Sequence, residues 1–173
     1  SVKEYYTDKE NEYNKTRKLL NNSGNIVKSI AELIEENNKL KKERNQFIKK
    51  KTNSIKDSIK TQLEEKKGVR FISRNVSLNP SAMKNLIFGL GNDFNNLFII
   101  LFSEYNSKIY ISCYISKELV KSKNYDARNV INELSKHVKA NGGGQPFYAT
   151  AGGDYLKGIK NLSDASLNYF QNL

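Results

Sequence analysis

The amino-acid composition of the chain changes sharply at Gly68. Residues 1–67 contain no proline and a single glycine, whereas the remaining residues hold both prolines, nine of the ten glycines and seven of the eight phenylalanines. Proline and glycine are the residues that helices tolerate least, so a long stretch almost free of them favours helical structure. The sequence therefore predicts a helical arm over residues 1–67 and a compact domain over residues 68–173.

The arm is predicted to contain two helices separated by residues 21–24, because the Asn, Ser and Gly found there suit turns and helix caps. Apolar residues recur every seven positions before this break, and at the three-and-four spacing of a coiled-coil seam after it. The two sets are Tyr6, Tyr13 and Leu20, then Ile26, Ile30, Leu33, Leu40 and Phe47. So narrow a stripe cannot stabilise a lone helix. We expect the second helix, from about residue 25 to 67, to pair with the first or with a second chain; a solvated, unpartnered helix is the alternative.

The compact part alternates strand and helix signals. The predicted strands span residues 69–78, 97–102 and 108–115. Predicted helices begin at Asn79-Pro80, at about residue 126 with Asn124 as the cap and an end near residue 139, and at about residue 155. In the last helix the side chains predicted to face the core are Leu156, Ile159, Leu162 and Leu167.

The strand at residues 108–115 shows the clearest pattern. Isoleucines and Cys113 alternate with Tyr110, Ser112 and Tyr114, which indicates one buried face and makes Cys113 a core residue. The predicted fold class is α+β (mixed): a long helical hairpin or coiled-coil arm, followed by a small α/β globular domain with a mixed sheet and packed helices.

The net charge of the chain limits the classes of partner that it suits. Lys and Arg number 29 against 18 Asp and Glu, a net charge of +11, which suits nucleic acid first and an anionic membrane surface second. The longest apolar run is Leu97–Phe102, far short of the roughly 20 residues that span a bilayer. No signal peptide opens the sequence, and one cysteine and one histidine exclude a disulfide scaffold and a multi-histidine metal site. We expect a cytoplasmic protein with no membrane partner and no metal site.

Residues 141–153 form the most unusual segment, with five glycines in thirteen residues. Three consecutive glycines, Gly142 to Gly144, allow positive φ and expose backbone amides that suit an anion-binding nest. A tight structural connection that needs glycine for its geometry alone explains the same residues. The order strand, GxGxxG, helix of a dinucleotide-binding fold is absent.

The motif Gly142-Gly143-Gly144-Gln145-Pro146, followed by Ala149 and Gly152-Gly153, resembles the GGGxPxxAxxGG signature of the DHH-associated domain. That domain lies at the C-terminal end of alanyl-tRNA synthetases and also occurs in DHH-type phosphoesterases. Residues 116–139 are similar to the helix that precedes the glycine segment in the synthetases. Residues 26–47 resemble the helical segment that joins their editing domain to this terminal domain. Gln145 stands where the phosphoesterases commonly have histidine, and no Asp-His-His motif is present. We therefore expect a C-terminal piece of a bacterial-type synthetase.

The resemblance implies a module without catalytic or metal-binding residues, which binds the elbow of tRNA-Ala and couples aminoacylation to editing. It implies no cofactor for this piece, while the parent enzyme would use ATP, magnesium and zinc. Homodimerisation through the arm or the globular domain occurs in some members. The competing hypotheses are a substrate-binding domain of a phosphoesterase and an oligomerisation module.

The candidate RNA-binding residues are basic side chains that can contact phosphates and the glycine segment that a nucleic-acid backbone can approach. They are Arg70, Arg74, Lys117, Lys121, Lys123, Arg128, Lys136, Lys139, Gly142, Gly143, Gly144 and Gln145. Phe147 and Tyr148 are candidates for stacking on unpaired bases, with core strand positions as the alternative.

Overall fold

The computed structural model describes residues 1–172, which fall into two compact units. The first unit is Ser1–Phe47, and the second begins at Ile48. The second unit thus begins inside a helix, ahead of the composition change at Gly68. No helix in the described residues combines the length and the apolar character needed to cross a membrane.

The first unit consists of helix α1 (Val2–Leu19) and the beginning of helix α2 (Ile26–Gln62). A capping box between Ser1 and Glu4 starts α1, and Asn21 and Asn22 follow its end with positive φ. These two residues occupy the break that the sequence predicts. Four of the five apolar side chains in the α2 part of the seam are exposed, among them Leu33 at 53% and Phe47 at 67%. The coiled coil therefore stays a prediction.

The second unit is an α+β domain with a six-stranded mixed sheet, as predicted. The strand order is β1-β2-β3-β4-β6-β5, and only the pair β2–β3 is parallel. The strands are β1 (Glu64–Lys66), β2 (Val69–Asn75), β3 (Leu97–Tyr105), β4 (Lys108–Ile115), β5 (Asn141–Gln145) and β6 (Tyr148–Gly153). The helices are α3 (Pro80–Gly91), α4 (Lys117–Lys123), α5 (Ala127–Ser135) and α6 (Ile159–Gln171), with a first 3-10 turn at Lys136–Val138 and a second at Leu156–Gly158.

Helices cover both faces of the sheet. One face packs Phe98 and Ile111 against α5 and α6. The other packs Ile99 against α3 and the last turns of α2, where Ile59 is fully buried. The alternation predicted for β4 is confirmed, because its isoleucines and Cys113 lie in the first core. Burial raises the pKa of the Cys113 thiol well above its usual value.

Several helix boundaries differ from the sequence prediction. Helix α2 ends at Gln62, and the residues expected to continue it form the edge strand β1. The cap of α5 is Asp126, whose carboxylate accepts from the Arg128 amide. Asn124, predicted as that cap, instead ends α4 in the left-handed conformation. Leu167, predicted to face inward, is 50% exposed.

Candidate nucleic-acid interface

The glycine segment forms a β-hairpin, whereas the predicted strands of the domain did not include residues 141–153. Strand β5 pairs antiparallel with β6, with Gly142 opposite Ala151 and Gly144 opposite Ala149, and Pro146 and Phe147 form the turn. Strand β5 lies at the edge of the sheet, and all five of its residues are exposed. The candidate residues Gly142 to Gln145 therefore share one accessible edge.

Two of these glycines are required by the approach of the neighbouring strand. A Cβ atom added at Gly142 would lie 2.0 Å from the carbonyl oxygen of Thr150, and one at Gly144 would lie 2.3 Å from that of Tyr148. A Cβ atom at Gly143 would meet nothing within 4 Å. The steric need for Gly142 and Gly144 fits the second explanation offered for this segment, a tight structural connection. Gly143 is the one of the three consecutive glycines where a side chain would have space.

A groove of about 590 Å³ opens beside the hairpin, on the sheet face that carries α3. Tyr110, Ser112 and Thr150 line its floor, and Lys84 of α3 is the one charged residue among those that line it. Tyr148, on the same face of the sheet, is covered by α3, because the centroid of its ring lies 4.9 Å from that of the Phe88 ring. Burial raises the pKa of Tyr148. Tyr148 is therefore partly a core side chain.

The three predicted arginines each make a contact within the chain. Arg128 pairs with Asp126 at 2.6 Å, which raises the pKa of the guanidinium and lowers that of the carboxyl. Arg70 pairs with Glu65 at 3.3 Å. Arg74 donates to the Ser58 hydroxyl of α2 at 2.9 Å. Arg70 and Arg74 also lie on β2, which β3, β4 and β6 separate from the glycine strand β5. The structure thus does not bring them to the hairpin.

The predicted lysines, except Lys123, are distributed over both ends of the hairpin. Lys117 lies at the turn, with its Nζ 5.4 Å from the centroid of the half-buried Phe147 ring. Lys121 follows on α4, whereas Lys123 at the end of α4 donates to the carbonyl of Lys67 at 3.3 Å, between β1 and β2 and away from the hairpin. At the other end, Lys136 and Lys139 precede β5 and are exposed. The hairpin therefore runs between two groups of lysines.

Some residues near the hairpin were not identified from the sequence. Lys84 and Thr150 contribute to the groove only because α3 and β6 meet on one face of the sheet. The one sequence feature that indicated a residue of this groove was the polar half of the β4 alternation, which includes Tyr110. Lys157 and Lys160 lie beyond the hairpin and had no motif to mark them. In the described part of the chain no group of three or more His, Cys, Asp or Glu side chains is placed to hold a metal ion.

The mixed sheet, its covering helices and the glycine hairpin define an α+β domain of a known type. The DHHA1 domain family matches residues 67–172, and the chain belongs to this family. The family predicted from the glycine signature is thereby confirmed. A solved structure with the same fold is the C-Ala domain of alanyl-tRNA synthetase from Aquifex aeolicus, with a TM-score of 0.50 and 23% identity. The similarity covers 60% of this chain and 96% of that domain.

The sequence is similar to alanine–tRNA ligases over the arm as well as the domain. The ligase of Christiangramia forsetii is 39% identical over 155 residues, which is 90% of this chain. That of Flavobacterium psychrophilum is 37% identical over 98% of the chain. The matched regions are 18% and 19% of those two proteins. The chain therefore spans about a fifth of the length of these relatives.

Proposed function

We propose that this chain is the tRNA-binding and tethering part of a cytoplasmic alanine–tRNA ligase. The observation that carries the proposal is the 39% identity to such a ligase over 90% of the chain. The net charge of +11 supports it, because a basic surface attracts the phosphate backbone of RNA. In this proposal the chemistry, with ATP, magnesium and zinc, belongs to the rest of the parent protein.

The hairpin and its lysines supply a mechanism for holding tRNA. Lysines at both ends of β5 neutralise phosphates, and the lack of a side chain at Gly143 lets a backbone come close to the sheet edge. Contacts of this kind position RNA without reading its sequence. We propose that the bound part is the tRNA elbow, and that holding it keeps one tRNA available to both aminoacylation and editing.

A salt titration tests the proposal. We expect fluorescence anisotropy to show binding of tRNA-Ala to the 173-residue chain, with log K falling by about 0.7–0.9 per neutralised phosphate as log salt rises. No incorporation of alanine into tRNA is expected from this chain alone. Absence of binding at low salt contradicts the proposal, and so does charging of tRNA by the isolated chain.

A substitution at the hairpin edge locates the contact. Gly143→Glu introduces a negative charge where the structure leaves space for a side chain, so we expect an intact fold and weaker tRNA binding. Asn53→Glu is the matched control, because Asn53 is an exposed position on α2 and receives the same charge. Equal losses of affinity in the two variants would show that the hairpin edge makes no specific contact.

A role in oligomerisation is compatible with tRNA binding. Its support is the exposed apolar seam of α2, where Leu33 and Leu40 are 53% and 56% exposed. We expect sedimentation to show a homodimer that Leu33→Glu with Leu40→Glu converts to a monomer. The matched control is Asn38→Glu with Asn45→Glu, which adds the same charge at two exposed positions outside the seam. A chain that sediments as a monomer without any substitution rules this role out.

A further inference from the structure

The two 3-10 turns of the domain lie against each other. The Tyr155 amide donates to the carbonyl of Val138 at 3.3 Å. The backbones are so close that a Cβ atom added at Gly158 would lie 1.9 Å from the carbonyl oxygen of His137. Lys139 reaches across, with its Nζ 5.0 Å from the centroid of the Tyr155 ring. Residues far apart in the sequence are thus held together by backbone contacts.

This arrangement collects four lysines on one part of the surface. Val138 is buried in the core, and Leu156 and Ile159 pack against it, so the charged neighbours of these residues remain in solvent. The four are exposed and are called the turn lysines here: Lys136, Lys139, Lys157 and Lys160.

The turn lysines are not neutralised by the fold. Within residues 1–172, none of their Nζ atoms comes within 4.0 Å of a carboxylate oxygen. This holds even though Asp154 and Asp164 lie on the same segments. Arg70 and Arg128, by contrast, are ion-paired. The turn lysines therefore keep their charge available to a partner.

Two of the turn lysines are placed against the preference of their helix. Lys157 immediately precedes the Gly158 cap of α6, and Lys160 lies in its first turn, where no acidic residue is present. The Gly158 cap supplies no side-chain hydrogen bond. The start of a helix carries partial positive charge, so lysines there are unfavourable. A locally unfavourable placement of residues that nothing within the fold offsets is typical of a functional site.

We propose that the turn lysines are a phosphate-contacting surface for RNA. This inference rests on the proposed tRNA-binding function and deepens it by adding Lys157 and Lys160, which the sequence pattern did not mark. Four cations spread over two turns and a helix start fit a chain of regularly spaced phosphates better than a single small anion. Lys139 lies two residues before Asn141, the first residue of β5. An RNA backbone that lies along β5 and continues past Asn141 therefore reaches the turn lysines.

The test compares two double variants of the 173-residue chain. Lys157→Ala with Lys160→Ala should weaken binding of tRNA-Ala and reduce the slope of log K against log salt by about 1.4–1.8, the loss of two phosphate contacts. Lys49→Ala with Lys50→Ala removes the same charge from exposed positions on α2 and should leave the slope unchanged.

A charge reversal separates binding from folding. Lys157→Glu with Lys160→Glu places acidic groups at the start of α6, which the helix favours, so the melting temperature should not fall while tRNA affinity falls further. If the slopes of the two alanine double variants are equal, the turn lysines are not the contact surface, although tRNA binding itself stands. If the unsubstituted chain binds no tRNA, the proposed function and this inference both fail.

Discussion

At the scale of single residues, the glycines of the hairpin are not equivalent. Gly142 lies against the backbone of β6, whereas Gly143 faces open space. We expect Gly142→Ala to lower the free energy of unfolding by about 1–3 kcal/mol, because a backbone carbonyl cannot move aside as a side chain can. Gly143→Ala should change it by less than about 0.5 kcal/mol. Urea denaturation of the two variants measures both values, and equal losses would contradict this geometry.

Asp93 gives the domain a pH-dependent contact. Its carboxylate lies 2.9 Å from the Nζ of Lys56 and 2.8 Å from that of Lys60. These hydrogen bonds hold the pKa of Asp93 below its ordinary value of 3.8. A carboxyl with a lowered pKa in the folded state stabilises the fold above its ordinary pKa, and this stability is lost as pH falls through the lowered pKa.

Asp93→Asn should therefore lower the melting temperature modestly at pH 7, since the contact is accessible to solvent. The difference from the unsubstituted chain should shrink as the pH falls below 3.8 and vanish in stronger acid. Thermal melts between pH 7 and strongly acidic pH measure it. Asp164→Asn, at a position without an ion pair among the described residues, is the control and should lower the melting temperature at pH 7 less than Asp93→Asn does.

At the scale of elements, local patterns predicted the structure where side chains carry the information. The β4 alternation correctly identified the face that packs in the first core, although Ser112 on the other face is buried as well. The Asn79-Pro80 pair also marked the start of α3, where the Asn79 side chain accepts from the Ala82 amide. Each signal depends on residues within one element. Each signal could therefore be interpreted without knowing which elements pack beside it.

The hairpin could not be predicted in the same way. Glycine has low strand propensity and no side chain to alternate, so β5 looks like a loop until β6 is beside it. Helix α4 has only seven residues, too few for a clear period. The candidate site shares this limit. The sequence marks Arg70 and Arg128 as cations, but only the fold shows that Glu65 and Asp126 already neutralise them.

Helix α2 is one continuous helix, but its two ends contribute differently to the stability of the fold. Ile59 is fully buried near its end, whereas Leu33 is 53% exposed in the first unit. We expect Ile59→Ala to lower the free energy of unfolding of the domain by about 2–5 kcal/mol. Leu33→Ala should change it by less than about 0.5 kcal/mol. Chemical denaturation followed by circular dichroism compares them, and comparable losses would mean that α2 is stabilised as one element.

At the scale of the whole molecule, the composition change and the compact unit do not begin at the same residue. The composition changes at Gly68, but the second unit begins at Ile48. The last turns of α2 explain the difference. Lys56 donates to the Gly89 carbonyl at 2.9 Å, and Arg74 donates to Ser58. Charged, helix-favouring residues thus continue into a segment whose apolar side chains belong to the core.

Two truncated chains test where the domain begins. A chain starting at Ile48 keeps β1 and the buried Ile59, so it should unfold cooperatively and retain a dispersed amide NMR spectrum. A chain starting at Gly68 loses both. It uncovers the sheet face that Ile99 shares with α3 and leaves β2 as an exposed edge, so we expect it to aggregate or to unfold at lower urea concentration. If the shorter chain unfolded as late and as cooperatively as the longer one, the last turns of α2 would contribute nothing to the domain, and the boundary predicted from composition would be the physical one.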